Sequence, residues 1–190
     1  MIKHLTEELN WSARTLPPNI HKFQIDDSEM LNDLIQMIED RGDETAYSTN
    51  LKCDMTGYKS WMVDKRFRGL AEILTSILKM IPLNLSISDM WGAKYVSEEY
   101  AKEHDHGHSE WSFCLYLNDG IGFPPLIVNG IELKPEKGLL VMFPGWVRHS
   151  VPSKEFDGSR YVVAGNVIMT DDTDKLKLGG VLSSNMKRNY

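Results

Sequence analysis

From Ile87 onward the chain consists of short apolar runs set between turn-forming residues, and this pattern constrains the fold more than any other feature. The runs are "ISDMWGAKYV", "WSFCLYL", "PLIVNGIEL", "GLLVMFP" and "RYVVAGNVIM". Runs this short, rich in Val, Ile, Tyr and Phe and bounded by Gly, Pro, Asn and Asp, read as strands. Asn129-Gly130 splits one of them. That dipeptide is the strongest short hairpin signal, because a two-residue turn needs positive φ at both positions. Strands at this spacing suggest a sandwich or an open barrel.

The first half reads differently. In "SEMLNDLIQMIEDRG", Leu31, Leu34, Ile35 and Ile38 share one helical face, with Ser28 as the expected N-cap and Gly42 as the stop. In "RFRGLAEILTSILKMIP", Phe67, Leu70, Leu74, Ile77, Leu78 and Ile81 do the same, and Pro82 ends the pattern. The expected organisation is one domain: a largely helical N-terminal part over 1–84, a β core over 85–170 and a tail over 171–190. The tail, "DDTDKLKLGGVLSSNMKRNY", has no pattern that decides between a mobile and a docked segment.

Charge and cysteine usage narrow the function classes. Lys and Arg number 21 against 27 Asp and Glu, a net charge of −6, which disfavours broad electrostatic binding to nucleic acid. The cluster Lys59, Lys65, Arg66 and Arg68 reads as a solvated face. Cys53 and Cys114 form no CxxC pair, so neither a disulfide framework nor a zinc ribbon is implied. No apolar run is long enough for a membrane span, and "MIKHLTEELNW" lacks the apolar stretch of a secretory signal. The expected compartment is the cytoplasm.

Three of the six histidines fall in "HDHGHSEW", as His104, His106 and His108, with Glu110 beside them. Residues i and i+2 of a strand point to one side, so His104/His106, His106/His108 and His108/Glu110 are each possible ligand pairs. A third ligand must come from elsewhere, and His149 is the other histidine of the β region. Arg160 opens the otherwise apolar run "RYVVAGNVIM". Buried there, its guanidinium needs an anion, and its planar fork suits a carboxylate.

At these residues the chain resembles the iron(II)- and 2-oxoglutarate-dependent oxygenases, and within them a branch related to prolyl hydroxylases found in phage and bacterial genomes. Three blocks carry the resemblance, in order, over roughly residues 85 to 170. They are His104, His106, Ser109, Ser112, Tyr116 and Leu117; then Phe143, Pro144, Trp146, His149, Val151 and Pro152; then Arg160 and Asn166. Ala164 stands where the branch often has serine. The wider superfamily pairs histidine with Asp or Glu in this motif, whereas His106 stands in register here; His108 with Glu110 fits the superfamily pattern instead and remains the alternative pair.

The resemblance implies a double-stranded β-helix, a cupin-like jelly roll that is mainly β, with helices over 28–41 and 66–81 flanking one sheet. It implies Fe(II) held by His104, His106 and His149, with 2-oxoglutarate as cosubstrate and dioxygen as oxidant. Arg160 would take the distal carboxylate, and Asn166 would belong to the same pocket. Tyr116 would either send its hydroxyl to that carboxylate or be core. The implied activity is hydroxylation of a C–H bond, with a peptide, prolyl-type substrate as the expectation. Oxidation of a nucleobase or small metabolite is the alternative, as is a three-histidine cupin-like protein without 2-oxoglutarate. The implied location is the cytoplasm, or the host cytoplasm for a phage-encoded chain. No membrane partner is expected.

Overall fold

The computed structural model describes residues 2–6, 19–42, 44 and 49–170. In chain order these form β1 (Ile2–Thr6), β2 (His21–Ile25), α1 (Ser28–Arg41), β3 (Leu51–Lys52), β4 (Asp54–Met55), α2 (Arg68–Leu78), β5 (Leu85–Tyr95), β6 (Tyr100–His104), β7 (Trp111–Tyr116), β8 (Leu126–Val128), β9 (Ile131–Leu133), β10 (Leu139–Pro144), β11 (His149–Val151) and β12 (Arg160–Met169). The strands make two antiparallel sheets. One has the order β1-β2-β10-β7-β12-β5-β4 and the other β3-β6-β11-β8-β9. This is a jelly roll, mainly β, with two flanking helices.

Strand period explains why the core strands read as unbroken apolar runs. Along β7, Phe113 and Leu115 pack toward the helices, while Cys114 and Tyr116 face the other sheet. Both faces are buried, so polar alternation disappears. The helix side is closed by Leu31, Leu34, Met37 and Ile38 of α1 and by Leu70, Leu74 and Ile77 of α2. Helix α1 sits so close to β5 that a Cβ on Gly92 would lie 2.3 Å from Ile38 Cγ1. At the β8–β9 turn, Asn129 and Gly130 both take positive φ, 49° and 80°, as the hairpin signal requires.

Some boundaries differ from the sequence expectation. Asp27, not Ser28, caps α1: its carboxylate accepts from Met30 N at 3.0 Å. Gly42 ends that helix in the right-handed region, so no left-handed cap is made. Helix α2 is shorter than 66–81, because Lys65–Phe67 form a 3₁₀ turn capped by Asp64 and the chain leaves the helix after Leu78. The N-terminal part also contributes β1 to β4, strands that the apolar pattern does not announce. The basic cluster is partly neutralised: Arg66 pairs with Asp40 and Asp64, and Lys59 with Asp89. Cys53 and Cys114 are both thiols. Among the described residues no helix is long and apolar enough to cross a membrane. The tail over 171–190 lies outside the described residues.

Candidate metal centre

Strand pairing brings two of the histidines together. His104 ends β6, His149 begins β11, and the two are directly opposed Cα partners. Their ring centroids are 4.3 Å apart. His106 lies beyond β6, in a loop, so a regular strand does not aim it. The loop is held from below: His106 N donates to Gly145 O at 2.7 Å, and Ser109 N donates to His106 O at 2.7 Å. A Cβ on Gly145 would lie 2.1 Å from Ser109 O and 2.9 Å from His106 O, so this approach requires glycine. The ring of His106 is 5.0 Å from that of His104 and 5.1 Å from that of His149. One nitrogen from each ring lies within 4.8 Å of the other two.

Hydrogen bonding fixes which nitrogen that is. His104 Nδ1 meets Lys102 O at 2.6 Å, His149 Nδ1 meets Val147 O at 3.1 Å, and His106 Nδ1 meets Asn166 Oδ1 at 2.5 Å. A carbonyl oxygen only accepts, so each Nδ1 carries a proton and each Nε2 keeps a bare lone pair. Burial, and then the neighbouring His104, pushes the pKa of His149 down to about 3. Burial also lowers that of His106, against an opposing contribution from Asn166. Both rings are therefore neutral at neutral pH, the form that binds metal. Three converging imidazole lone pairs, each ring oriented through its other nitrogen, fit a divalent transition metal.

The alternative pair lies outside this trio. His108 is exposed and stacks on the outer side of His106, with centroids 6.4 Å apart. Glu110 is also exposed, and its backbone is tied to Val167 O and Gly145 N.

The other sheet supplies the cation. Arg160 begins β12 opposite Tyr95 of β5, and its residue is 0% exposed. Among the described residues, its Nε, Nη1 and Nη2 have no hydrogen-bond partner. The guanidinium carbon sits 4.9 Å from the Tyr95 ring centroid and 5.2 Å from that of Tyr116. Cation–π attraction of this kind is worth up to about 2 kcal/mol, while burying an unpaired charge costs several. Arg160 and the three histidines line one cavity, together with Cys114, Leu126 and Val162. The empty volume is about 490 Å³ including its mouth. A cavity with bare lone pairs at one end and an orphaned guanidinium at the other is complementary to a metal-chelating carboxylate.

Two further expected residues bond to groups within the protein. The Tyr116 hydroxyl donates to Leu133 O at 2.7 Å and accepts from Leu126 N at 3.1 Å. Its only proton is committed to the backbone, and it is the ring that faces Arg160. Asn166 does not reach toward Arg160; its Oδ1 accepts from both His106 Nδ1 and the Ser112 hydroxyl. Sequence reasoning missed Tyr95, whose pairing with Arg160 needs the β5–β12 register, and Gly145. It named Ser112 within a motif, without this position. Trp91 walls the site, stacked on His106 and edge-on to Tyr58. Outside it lies a second cavity lined by Asn50, Tyr58, Asp89, Asp105, His108 and Asn166.

No protein-family model matches the sequence, and no curated protein sequence does. Solved structures match in shape. A Pseudomonas putida prolyl-4-hydroxylase superposes with a TM-score of 0.64 at 17% identity, over 76% of this chain and 89% of that one. HygX from Streptomyces hygroscopicus, with nickel and 2-oxoglutarate bound, gives 0.62 at 9% identity, over 80% and 83%. A prolyl hydroxylase from Trichoplax adhaerens, in complex with a hypoxia inducible factor peptide fragment, gives 0.54 at 15% identity, over 78% and 80%. This chain has their fold. At such low identity the likeness extends to the architecture, and the chemistry must be argued from the residues described above.

Proposed function

We propose that the chain is an iron(II)- and 2-oxoglutarate-dependent dioxygenase that hydroxylates a C–H bond of a peptide substrate. The observation that carries this reading is Arg160: a buried, unpaired guanidinium in the same cavity as three free imidazole lone pairs. His104, His106 and His149 would hold the metal, and Arg160 would pair with the distal carboxylate of 2-oxoglutarate. Bound iron(II), with 2-oxoglutarate and dioxygen, supplies oxidation of an unactivated C–H bond. The protein's own part is placement. Three Nδ1 bonds orient the rings, Tyr95 and Tyr116 flank the guanidinium, and the apolar side chains of Cys114, Leu126 and Val162 line the cavity between. The three-histidine cupin-like alternative without 2-oxoglutarate leaves Arg160 without a purpose.

The outer cavity over His104 and His106 is the substrate's approach. Its lining holds two acids, Asp105 and the Lys59-paired Asp89, and no Lys or Arg, which favours a peptide or a neutral or cationic small molecule over nucleic acid. The peptide-bound Trichoplax neighbour supports a peptide, and a small molecule is the second reading. Incubating the iron-loaded protein with 2-oxoglutarate and proline-containing peptides tests the proposal by mass spectrometry. The expected result is a gain of one oxygen atom on a peptide, coupled to 2-oxoglutarate consumption. Oxygen gained only by small molecules would reject the peptide substrate. Absence of 2-oxoglutarate turnover with every candidate would reject the activity.

A further inference from the structure

We propose that Asn166 is a positioning residue that orients His106 and sets its tautomer for the metal, so that residues 106 and 166 must match. The proposal rests on the metal reading above. Asn166 lies on β12, six residues after Arg160, and is 5% exposed. Ser112, its Cα partner on β7, is 3% exposed. Asn166 Oδ1 accepts two hydrogen bonds, one from His106 Nδ1 and one from the Ser112 hydroxyl at 3.0 Å. The amide thus turns its acceptor end toward position 106. A carboxylate at that position has no proton to offer it at neutral pH, whereas an imidazole does. The bond to Asn166 also forces the His106 proton onto Nδ1 and so leaves Nε2 for the metal.

It follows that residues 106 and 166 act as a unit. An amide can present either end, so Asn166 can rotate to donate its NH₂ when position 106 carries a carboxylate. An aspartate at 166 can only accept. With His106 in place it keeps the hydrogen bond and strengthens it with charge. Combined with His106→Asp it sets two carboxylates against each other. The sign of the Asn166→Asp effect therefore depends on the residue at 106.

Co(II) titration of the metal-free full-length chain, followed by the visible spectrum and by thermal melting, tests this. Asn166→Leu is expected to weaken Co(II) binding about 10–100-fold and to change the ligand-field bands. Asn166→Asp alone is expected to bind at least as tightly as the natural chain. His106→Asp alone is expected to bind, and adding Asn166→Asp to it to cost at least about tenfold. The same fold-change from Asn166→Asp in both backgrounds would overturn the proposal, as would an unchanged affinity in Asn166→Leu. Should Asn166→Leu fail to melt cooperatively, the two Asn166→Asp comparisons decide. His149→Ala is the control for the underlying reading: undiminished Co(II) binding there would reject the metal site itself.

Discussion

Arg160 is the residue at which the proposed site and the stability of the fold pull against each other. Its buried guanidinium has no hydrogen-bond partner among the described residues, and the rings of Tyr95 and Tyr116 offset only part of that cost. Arg160→Met should therefore leave the melting temperature of the ligand-free protein unchanged or raise it, while weakening 2-oxoglutarate binding by about 2–5 kcal/mol. A large loss of stability in the ligand-free variant would mean that Arg160 is structural. The histidines make a matching prediction. His104→Ala, His106→Ala and His149→Ala should each lose metal, whereas His108→Ala, Glu110→Ala and His21→Ala should keep it, as metal content per chain would show. The low pKa of His149, about 3 in the folded chain against 6.5 ordinarily, also has a sign. Between those values the unfolded state holds more protons, so the contribution to stability is whole above about pH 6.5 and is lost as pH falls toward 3. The metal-free protein should melt at lower temperature across that window, and His149→Phe should flatten the slope; an identical slope in that variant would assign the effect to other groups. These residues were visible in the sequence because histidine and arginine are conspicuous among apolar strands. Their partnerships were not: the carbonyls of Lys102 and Val147 lie two residues back along the chain and no side-chain pattern marks them, while the amide of Asn166 and the ring of Tyr95 become neighbours only through the pairing of distant strands.

Among the elements, the long core strands were legible and the ligand-bearing ones were not. β5, β7, β10 and β12 are apolar on both faces because one sheet lies between helices and the second sheet. β6, "YAKEH", is mostly solvent-facing, and β11 has three residues, so neither carries enough periodicity to be read. β3 and β4 have two residues each. The loop after β6 depends on its contact with the β10–β11 turn. Gly145→Ala would force a Cβ against the carbonyls of Ser109 and His106. It should therefore lower both metal affinity and melting temperature. Gly92→Ala makes the contrasting case. Its Cβ would meet Ile38 at the helix–sheet contact, on the face of β5 opposite Trp91, and overpacking of this kind typically costs about 1–3 kcal/mol. Its melting temperature should fall while metal affinity is retained. Equal loss of metal in both glycine variants would show that the loop is not a separate determinant.

On the scale of the whole molecule, the jelly roll joins parts of the site that are remote in sequence. The five-stranded sheet supplies His104 and His149, the seven-stranded sheet supplies Arg160 and Asn166, and the cavity lies between them. The order of the sequence blocks pointed to this architecture, because the fold keeps that order as it brings the two sheets face to face. The substrate was not legible, since the outer cavity draws on Asn50, Tyr58 and Asp89, which no shared motif connects. The central claim is that this cavity binds a metal and a dicarboxylate together, and thermal melting with Mn(II) and 2-oxoglutarate tests it most directly. At about a hundred times its dissociation constant, 2-oxoglutarate should add roughly 2.7 kcal/mol, a rise of about 5–10 °C for a chain of this size. The rise should be absent in Arg160→Leu. No rise in the natural chain, or an equal rise in both, would contradict the claim.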